Sequence, residues 1–368
     1  MHISSTSRLL ARLHPPIRVE AFLVRLLLMV IVAIVMVKSY AWVLEIRYPG
    51  WWQQASVERL VNGTADRPFV YRQLVPQMVR FVDSLVSEEI LQSVSKPAFK
   101  LYLDTTKRMK RLTERKKRSL ENIKDKHVKY WFIASCITLL FLCGYGMCTF
   151  LLARHFYEQP IAPYVAIIIA YSIIPIGLFR AAHPYDMSVL FFIAACFYAI
   201  IKHELFWLIA LFLLASINKE TSVYVILLYA LLAKKDTNYI KIIIALFAIW
   251  AAVTLWTHVI YADNRGVAIT MHWFKVDYIQ RLGVSLSFNK MATLFATFFI
   301  IMYKWDEKPL LVRRSMWVAA VSIIAWILFG IISEMRAMYE AYPFLVLMLT
   351  HSILSATQIH KARLFRHV

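Results

Sequence analysis

The sequence predicts an all-α integral membrane protein with about ten transmembrane helices and a long first outer loop. Three observations predict it. Of 368 residues, 60% are hydrophobic and only 17% are charged, against about a quarter charged in soluble domains. The mean hydropathy is +0.58. Apolar runs recur along most of the chain, and the polar residues collect between them.

Taken in order, the runs lie near 21–45, 130–153, 161–179, 187–201, 205–217, 221–233, 239–261, 290–304, 316–332 and 342–358, judged against the ~20 residues a helix needs to cross a bilayer. The first follows Arg8, Arg12 and Arg18 and is too long for a signal-peptide core, so it is expected to remain as a first span. The three runs between about 187 and 233 are shorter than a full crossing. Helices there are expected to be tilted, broken or extended by polar residues held at depth. That places Asn218-Lys219-Glu220-Thr221 partly within the membrane. The whole chain, 1–368, reads as one polytopic transmembrane domain.

Orientation follows from the basic residues of the short loops. One set carries Arg8, Arg12, Arg18, Arg154, Lys202, Lys234, Lys235, Lys241, Lys304, Lys308, Arg313, Arg314, Lys361, Arg363 and Arg366. The opposite set carries fewer: Arg180, Lys219, Arg265, Lys275, Arg281, Lys290 and Arg336. The positive-inside rule makes the first set cytoplasmic, with both termini inside. Segment 47–129 then forms a long outer loop, despite the basic run from Lys107 to Lys129, because long loops are largely exempt from the rule. Amphipathic or charged helices are expected in it, lying on the membrane surface or extending the second span.

A formal charge of +20 would suggest nucleic acid in a soluble protein. Here the cations sit between apolar runs, so membrane lipids and phosphate groups are the expected partners and nucleic acid is not. Cys136, Cys143, Cys148 and Cys196 all fall inside apolar runs, which leaves no disulfide framework or Cys-based metal site to read.

With this topology the mixed polar clusters collect on the outer side. Arg180 to Ser188 holds Arg180, His183, Tyr185 and Asp186 between two spans, and ionisable groups at a membrane boundary are costly unless they face water, protein or a ligand. The bland alternative is a turn in which Pro184 stops one helix and Asp186 caps the next. The first loop offers Glu45, Glu58, Asp66, Tyr71 and Arg72, and two later turns offer Lys219 with Glu220 and Glu334 with Arg336 and Glu340. A guanidinium fork suits a phosphate, which makes Arg72, Arg180 and Arg336 candidates to hold one, with Lys219 near the same headgroup level. An outward carboxylate, Asp186 first and then Asp66, Glu45 and Glu220, is the candidate general base for an acceptor hydroxyl. His183 is a candidate proton carrier, and Tyr71 and Tyr185 are candidates to stack on sugar rings, although an interfacial aromatic belt alone predicts many such residues. Arg336 and Glu340 are four apart, so a purely structural pair on one helical face is the alternative for them. No Asp-x-Asp pair occurs in the outer loops; no cofactor is required by the sequence, and a divalent cation stays open.

The segments Pro68-Phe69-Val70-Tyr71-Arg72-Gln73-Leu74, Tyr185-Asp186, Asn218-Lys219-Glu220-Thr221 and Glu334-Met335-Arg336 with Pro343 resemble, in order, motifs of bacterial polytopic glycosyltransferases of the GT-C fold. The resemblance implies transfer of a sugar from a polyprenyl-phosphate donor to a glycan, lipid or protein acceptor at the periplasmic face of the bacterial inner membrane. It also implies a catalytic acid in the first outer loop, which points to Asp66, Glu58 or Glu45 rather than Asp186. The acidic pair frequent in that fold is missing here, and Lys219 stands where an arginine is expected. Two other classes fit the composition. A lipid or polysaccharide transporter or flippase would need internal repeats and binding groups at mid-depth, and no clear repeat is present. A non-catalytic membrane assembly partner would depend on the basic outer run and tolerate replacement of single outer acids.

Overall fold

Each of the ten apolar runs folds as a helix in the computed structural model, which describes residues 19–46, 55–108, 125–177, 183–267, 288–329 and 335–357. The first run is α1 (Val19–Ile46). Segment 47–129 contributes α2 (Val57–Val61), α3 (Leu74–Leu85) and α4 (Glu88–Arg108). Then come α5 (Asp125–Phe156), α6 (Ala162–Gly177), α7 (Asp186–Ile201), α8 (Leu205–Asn218) and α9 (Val223–Leu232). The last four are α10 (Tyr239–Ile260), α11 (Phe288–Met302), α12 (Leu310–Phe329) and α13 (Tyr342–Ala356). Among the described residues every regular element is helical; the one extended contact is an isolated bridge between Arg67 and Gly266.

Four helices are long and apolar enough to cross a membrane on their own: α1, α5, α10 and α12. The others are apolar but shorter. At 1.5 Å per residue, the 16, 14 and 10 residues of α7, α8 and α9 reach only about 24, 21 and 15 Å, against a hydrocarbon core of about 30 Å.

The packing core runs through α5, α6, α7 and α13, where Tyr145, Phe156, Ala170, Phe197 and Phe344 are fully buried. Gly146 lets α6 approach α5 closely: a Cβ there would collide with the Tyr171 hydroxyl, which donates to Leu142 O at 3.0 Å. By contrast α1 docks along one stripe, with Ser39 Oγ donating to Tyr171 O at 2.6 Å, and leaves Phe22, Leu27 and Val37 more than half exposed. Exposed apolar residues continue on α10 (Ile244, Leu255), α11 (Phe295, Phe299) and α12 (Trp317, Ile324). An apolar exterior around a packed interior is what a lipid-facing helical protein presents.

Segment 47–129 partly follows its expectation. Ser56 Oγ caps α2 by accepting from Arg59 N. Leu60, Val70, Val75 and Val79 then pack on Tyr130, Ile133 and Ile137 of α5. Lys129 joins Asp83 and Glu88, each at 2.6 Å, so the turn between α3 and α4 is clamped to the start of α5. The opposite face of α3 and α4 exposes Phe81, Leu85, Ile90, Val94 and Leu101, the apolar side expected of surface helices. Most of the basic run from Lys107 to Lys129 lies outside the described residues.

Contacts sort the helix ends into two groups. At one end the first-loop segment meets Tyr185, Glu220 and His258, and Lys219 meets Glu340. At the other, Arg25 and Arg154 line one cavity, His203, Glu204, Lys234 and Lys241 line a second, and Lys308 meets His351. These are the same two groups that the loop charges separate, here called the polar end and the basic end.

Candidate functional site

The polar end is built around Arg72. The residues before it form a 3-10 turn, Phe69–Tyr71, entered through a cis Arg67-Pro68 peptide. This turn and the first turn of α3 descend into the space left by the short helices: Gln73 N donates to Ile217 O at 3.0 Å, and Leu74 packs on Phe192 and Ala215. Arg72 thereby reaches two turns more than a hundred residues away. Its Nη2 lies 2.8 Å from Glu220 Oε1, its Nε 3.4 Å from Glu220 Oε2, and its Nη1 2.5 Å from the Tyr185 hydroxyl. The guanidinium also stacks over the Tyr185 ring at 4.6 Å. Burial alone would lower the Arg72 pKa, but the Glu220 carboxylate and Tyr185 outweigh it and hold the group well above its ordinary value.

Depth follows from Trp250. Its Nε1 donates to Glu220 O at 2.8 Å, and Trp250 sits ten residues before the end of α10 at Ile260. The Glu220 turn is therefore about 15 Å below that end. Within the bundle Arg72 and Lys219 supply the cations that the Glu220 and Glu340 carboxylates need in a low-dielectric setting.

Asp186 takes a different place from the one its sequence position suggested. It is not an N-cap; it opens α7, and its Oδ2 accepts from His183 N at 2.7 Å while its own N–H donates to His183 O at 3.1 Å. It is 2% exposed. The carboxylate braces the His183-Asp186 turn and is buried from bulk water. His183 stacks on Tyr185 at 5.1 Å and lies 5.2 Å from Phe69, which holds the ring within the aromatic wall under Arg72. Behind it, Ser188 Oγ lies 2.7 Å from Asn218 Oδ1, and Asn218 Nδ2 donates to Tyr185 O. This locks the start of α7 to the end of α8.

Lys219 and Glu340 form the second buried pair, at 2.7 Å, with Thr221 Oγ1 donating to the same oxygen at 2.5 Å. Glu340 is fully buried and its Oε2 has no hydrogen-bond partner among the described residues. Lys219 and Thr221 are the described partners of Glu340, and the side chain of Arg336, four positions earlier, lies outside the described residues. Glu340 is the site residue that the sequence reading undervalued; the signal was an acid immediately before the apolar start of α13.

Asp66 occupies the rim. Arg59 Nη2 holds its Oδ1 at 3.0 Å, and its side chain is 16% exposed. Its Oδ2 makes no hydrogen bond to a described residue. Beside it Arg67 N donates to Arg265 O at 2.7 Å, and Arg67 Nη2 donates to Gly266 O at 2.7 Å. Asn264 Nδ2 spans Gly63 O and Ala65 O. Gly266 has φ +95°, and a Cβ there would lie 2.6 Å from Arg67 O, so only glycine fits this clasp. Tyr71 is drawn away from the rim to stack on His258 at 4.1 Å.

No protein-family model, curated protein or solved structure matches the chain.

The described residues thus unite Arg72, Tyr185, Glu220, Lys219, His183 and Asp186 in one cluster, with Asp66 at its edge and Tyr71 beside it. Arg180 and Glu334 lie outside the described residues, as do the side chains of Glu45 and Arg336. Among the described residues no three His, Cys, Asp or Glu groups are placed to hold a metal ion. Both described phosphate candidates, Arg72 and Lys219, are engaged by carboxylates. A phosphate bound there would have to share or displace Glu220 or Glu340.

Proposed function

We propose that this chain is a membrane glycosyltransferase whose ten apolar helices lie in the bilayer in a GT-C-like arrangement, with its active site at the polar end. The observation that carries the reading is the convergence on Arg72 of the Tyr185 and Glu220 turns, far apart in sequence, where α7, α8 and α9 stop short of a full crossing. A recess of this kind, edged by apolar helices, suits a donor whose lipid tail stays in the bilayer while its phosphate meets basic groups. The acceptor arrives from the periplasmic face.

In the proposed step Asp66 takes the proton of an acceptor hydroxyl. The acceptor oxygen forms a bond to the anomeric carbon, and the bond from that carbon to the phosphate oxygen breaks. The polyprenyl phosphate leaves with the electron pair, stabilised by the Arg72 fork. Asp66 is preferred over Glu220 because a carboxylate held at both oxygens by one guanidinium is a poor proton acceptor, whereas Asp66 keeps Oδ2 uncommitted. It agrees with the first-loop acid that the sequence resemblance implies.

The test is turnover by the purified protein with a panel of polyprenyl-phosphate sugars, read as released lipid phosphate. Asp66→Asn is expected to lower the rate by about a hundredfold or more. Asp186→Asn retains an oxygen to accept from His183 N and is expected to remain within a few fold of wild type. Equal activity in wild type and Asp66→Asn would sink the assignment. Absence of transfer together with movement of the lipid between leaflets of liposomes would favour a flippase.

A further inference from the structure

The basic end contains a cavity of about 360 Å³ between α1, α5 and the start of α6. Arg25 and Arg154 enter it from two different helices, Gln159 and Tyr164 line it, and Phe150 packs edge-on against Tyr164 at 5.6 Å to form an apolar wall. Neither arginine makes an ion pair or hydrogen bond with a described residue. Both are exposed. Two guanidinium groups beside one cavity, with no carboxylate paired to either among the described residues, repel each other unless an anion stands between them.

The position of Arg25 says from where that anion comes. It lies three residues inside the apolar stretch Phe22–Ala41, and its neighbours Phe22, Leu23, Val24 and Leu26 are each about half exposed. An apolar, outward-facing helix surface beside the cavity is lipid-contacting, so the cavity opens sideways to the bilayer at headgroup depth. The first turn of α6 contributes the positive end of its helix dipole on the same side. Glu158 also lines the rim; its single negative charge is outnumbered by the two arginines.

The geometry points to a binding site for the phosphate headgroup of an anionic phospholipid, held between Arg25 and Arg154 with its acyl chains along α1. This site is separate from the proposed donor site. Arg154 is 24 residues along α5 from Tyr130, which packs at the polar end, a distance of about 36 Å. The lipid would act as a wedge at the start of α1, adding to the contacts that Ser39 makes with Tyr171 of α6 and Tyr40 with Ser135 of α5.

The test uses the full chain in nanodiscs of zwitterionic phosphatidylcholine, titrated with phosphatidylglycerol, with bound lipid read by native mass spectrometry after release. Wild type is expected to retain phosphatidylglycerol preferentially. Arg25→Gln with Arg154→Gln is expected to weaken that retention about thirtyfold, two contacts at the usual strength of a basic residue near an anionic surface. The charge-conserving pair Arg25→Lys with Arg154→Lys keeps most of it and controls for folding. Glu158→Gln is expected to tighten binding about fivefold, by removing one like charge. Retention unchanged in the Gln pair would overturn the site. Inorganic phosphate protecting wild type, but not the Gln pair, against heat in purely zwitterionic discs would overturn the lipid assignment in favour of a soluble phosphate.

Discussion

The two ends of the bundle hold their central cations differently, although an exposed loop of the basic end also pairs Lys304 with Glu307 and Arg313 with Asp306. At the polar end each central cation has a carboxylate of its own: Arg72 with Glu220, Lys219 with Glu340, Arg59 with Asp66. At the basic end Arg25 and Arg154 have none among the described residues, and Lys308, 2% exposed, is held by neutral groups, Ser352 Oγ at 2.7 Å and Met348 O at 3.2 Å. The difference teaches what depth requires. Charges sunk about 15 Å below a helix end must be neutralised from within, whereas charges at headgroup level can be neutralised by the membrane.

The sharpest way to break this comparison is to remove one partner at the polar end. Lys219→Met leaves Glu340 fully buried with no described cation beside it and is expected to cost about 3–5 kcal/mol, measured by chemical unfolding in detergent. Lys219→Met with Glu340→Gln should recover much of that loss. Equal losses in the single and double variants would mean that the pair is not neutralised internally.

A smaller effect is expected at the clasp that carries Asp66. Gly266→Ala forces a side chain into a left-handed backbone and against Arg67 O, for an expected loss of about 1–3 kcal/mol. If the clasp positions Asp66, transfer should fall further than stability alone explains. Smaller still is the neutral hydrogen bond behind the site: Ser188→Ala is expected to lose about 1 kcal/mol, read as a lowered unfolding midpoint.

Lys308 sharpens the comparison through pH. Burial pushes its amine down to about 8 from an ordinary 10.5, against the opposing pull of Glu307. Between about pH 8 and 10.5 the unfolded chain binds the extra proton, so this group makes stability rise with pH across that window and is silent below it. Lys308→Met should flatten that rise. An unchanged slope would show that the amine is not desolvated at the basic end.

Much of the fold was legible without coordinates. Each of the ten apolar runs is a helix, because lipid-facing and core-facing surfaces both demand apolar side chains. Of the site, the cluster members Arg72, Tyr185, Lys219 and Glu220 were visible as polar residues in places where polarity is costly. What their spacing could not reveal was who neutralises whom. That Lys219 and Thr221 reach Glu340, and that Asp186 is buried, could not be read from spacing, because both depend on segments distant in sequence.

By itself, then, the sequence determined the helical membrane class, the positions of the helices and the short reach of α7, α8 and α9, all set by local composition and length. Only the tertiary structure decided that the first-loop turn fills the space above those short helices, that Arg72 closes on Tyr185 and Glu220, and that Lys219 serves Glu340. The physical reason is that these pairs join residues 113 to 148 positions apart. Their energy comes from mutual neutralisation in a low-dielectric interior, a property of the assembled bundle and not of any segment in it.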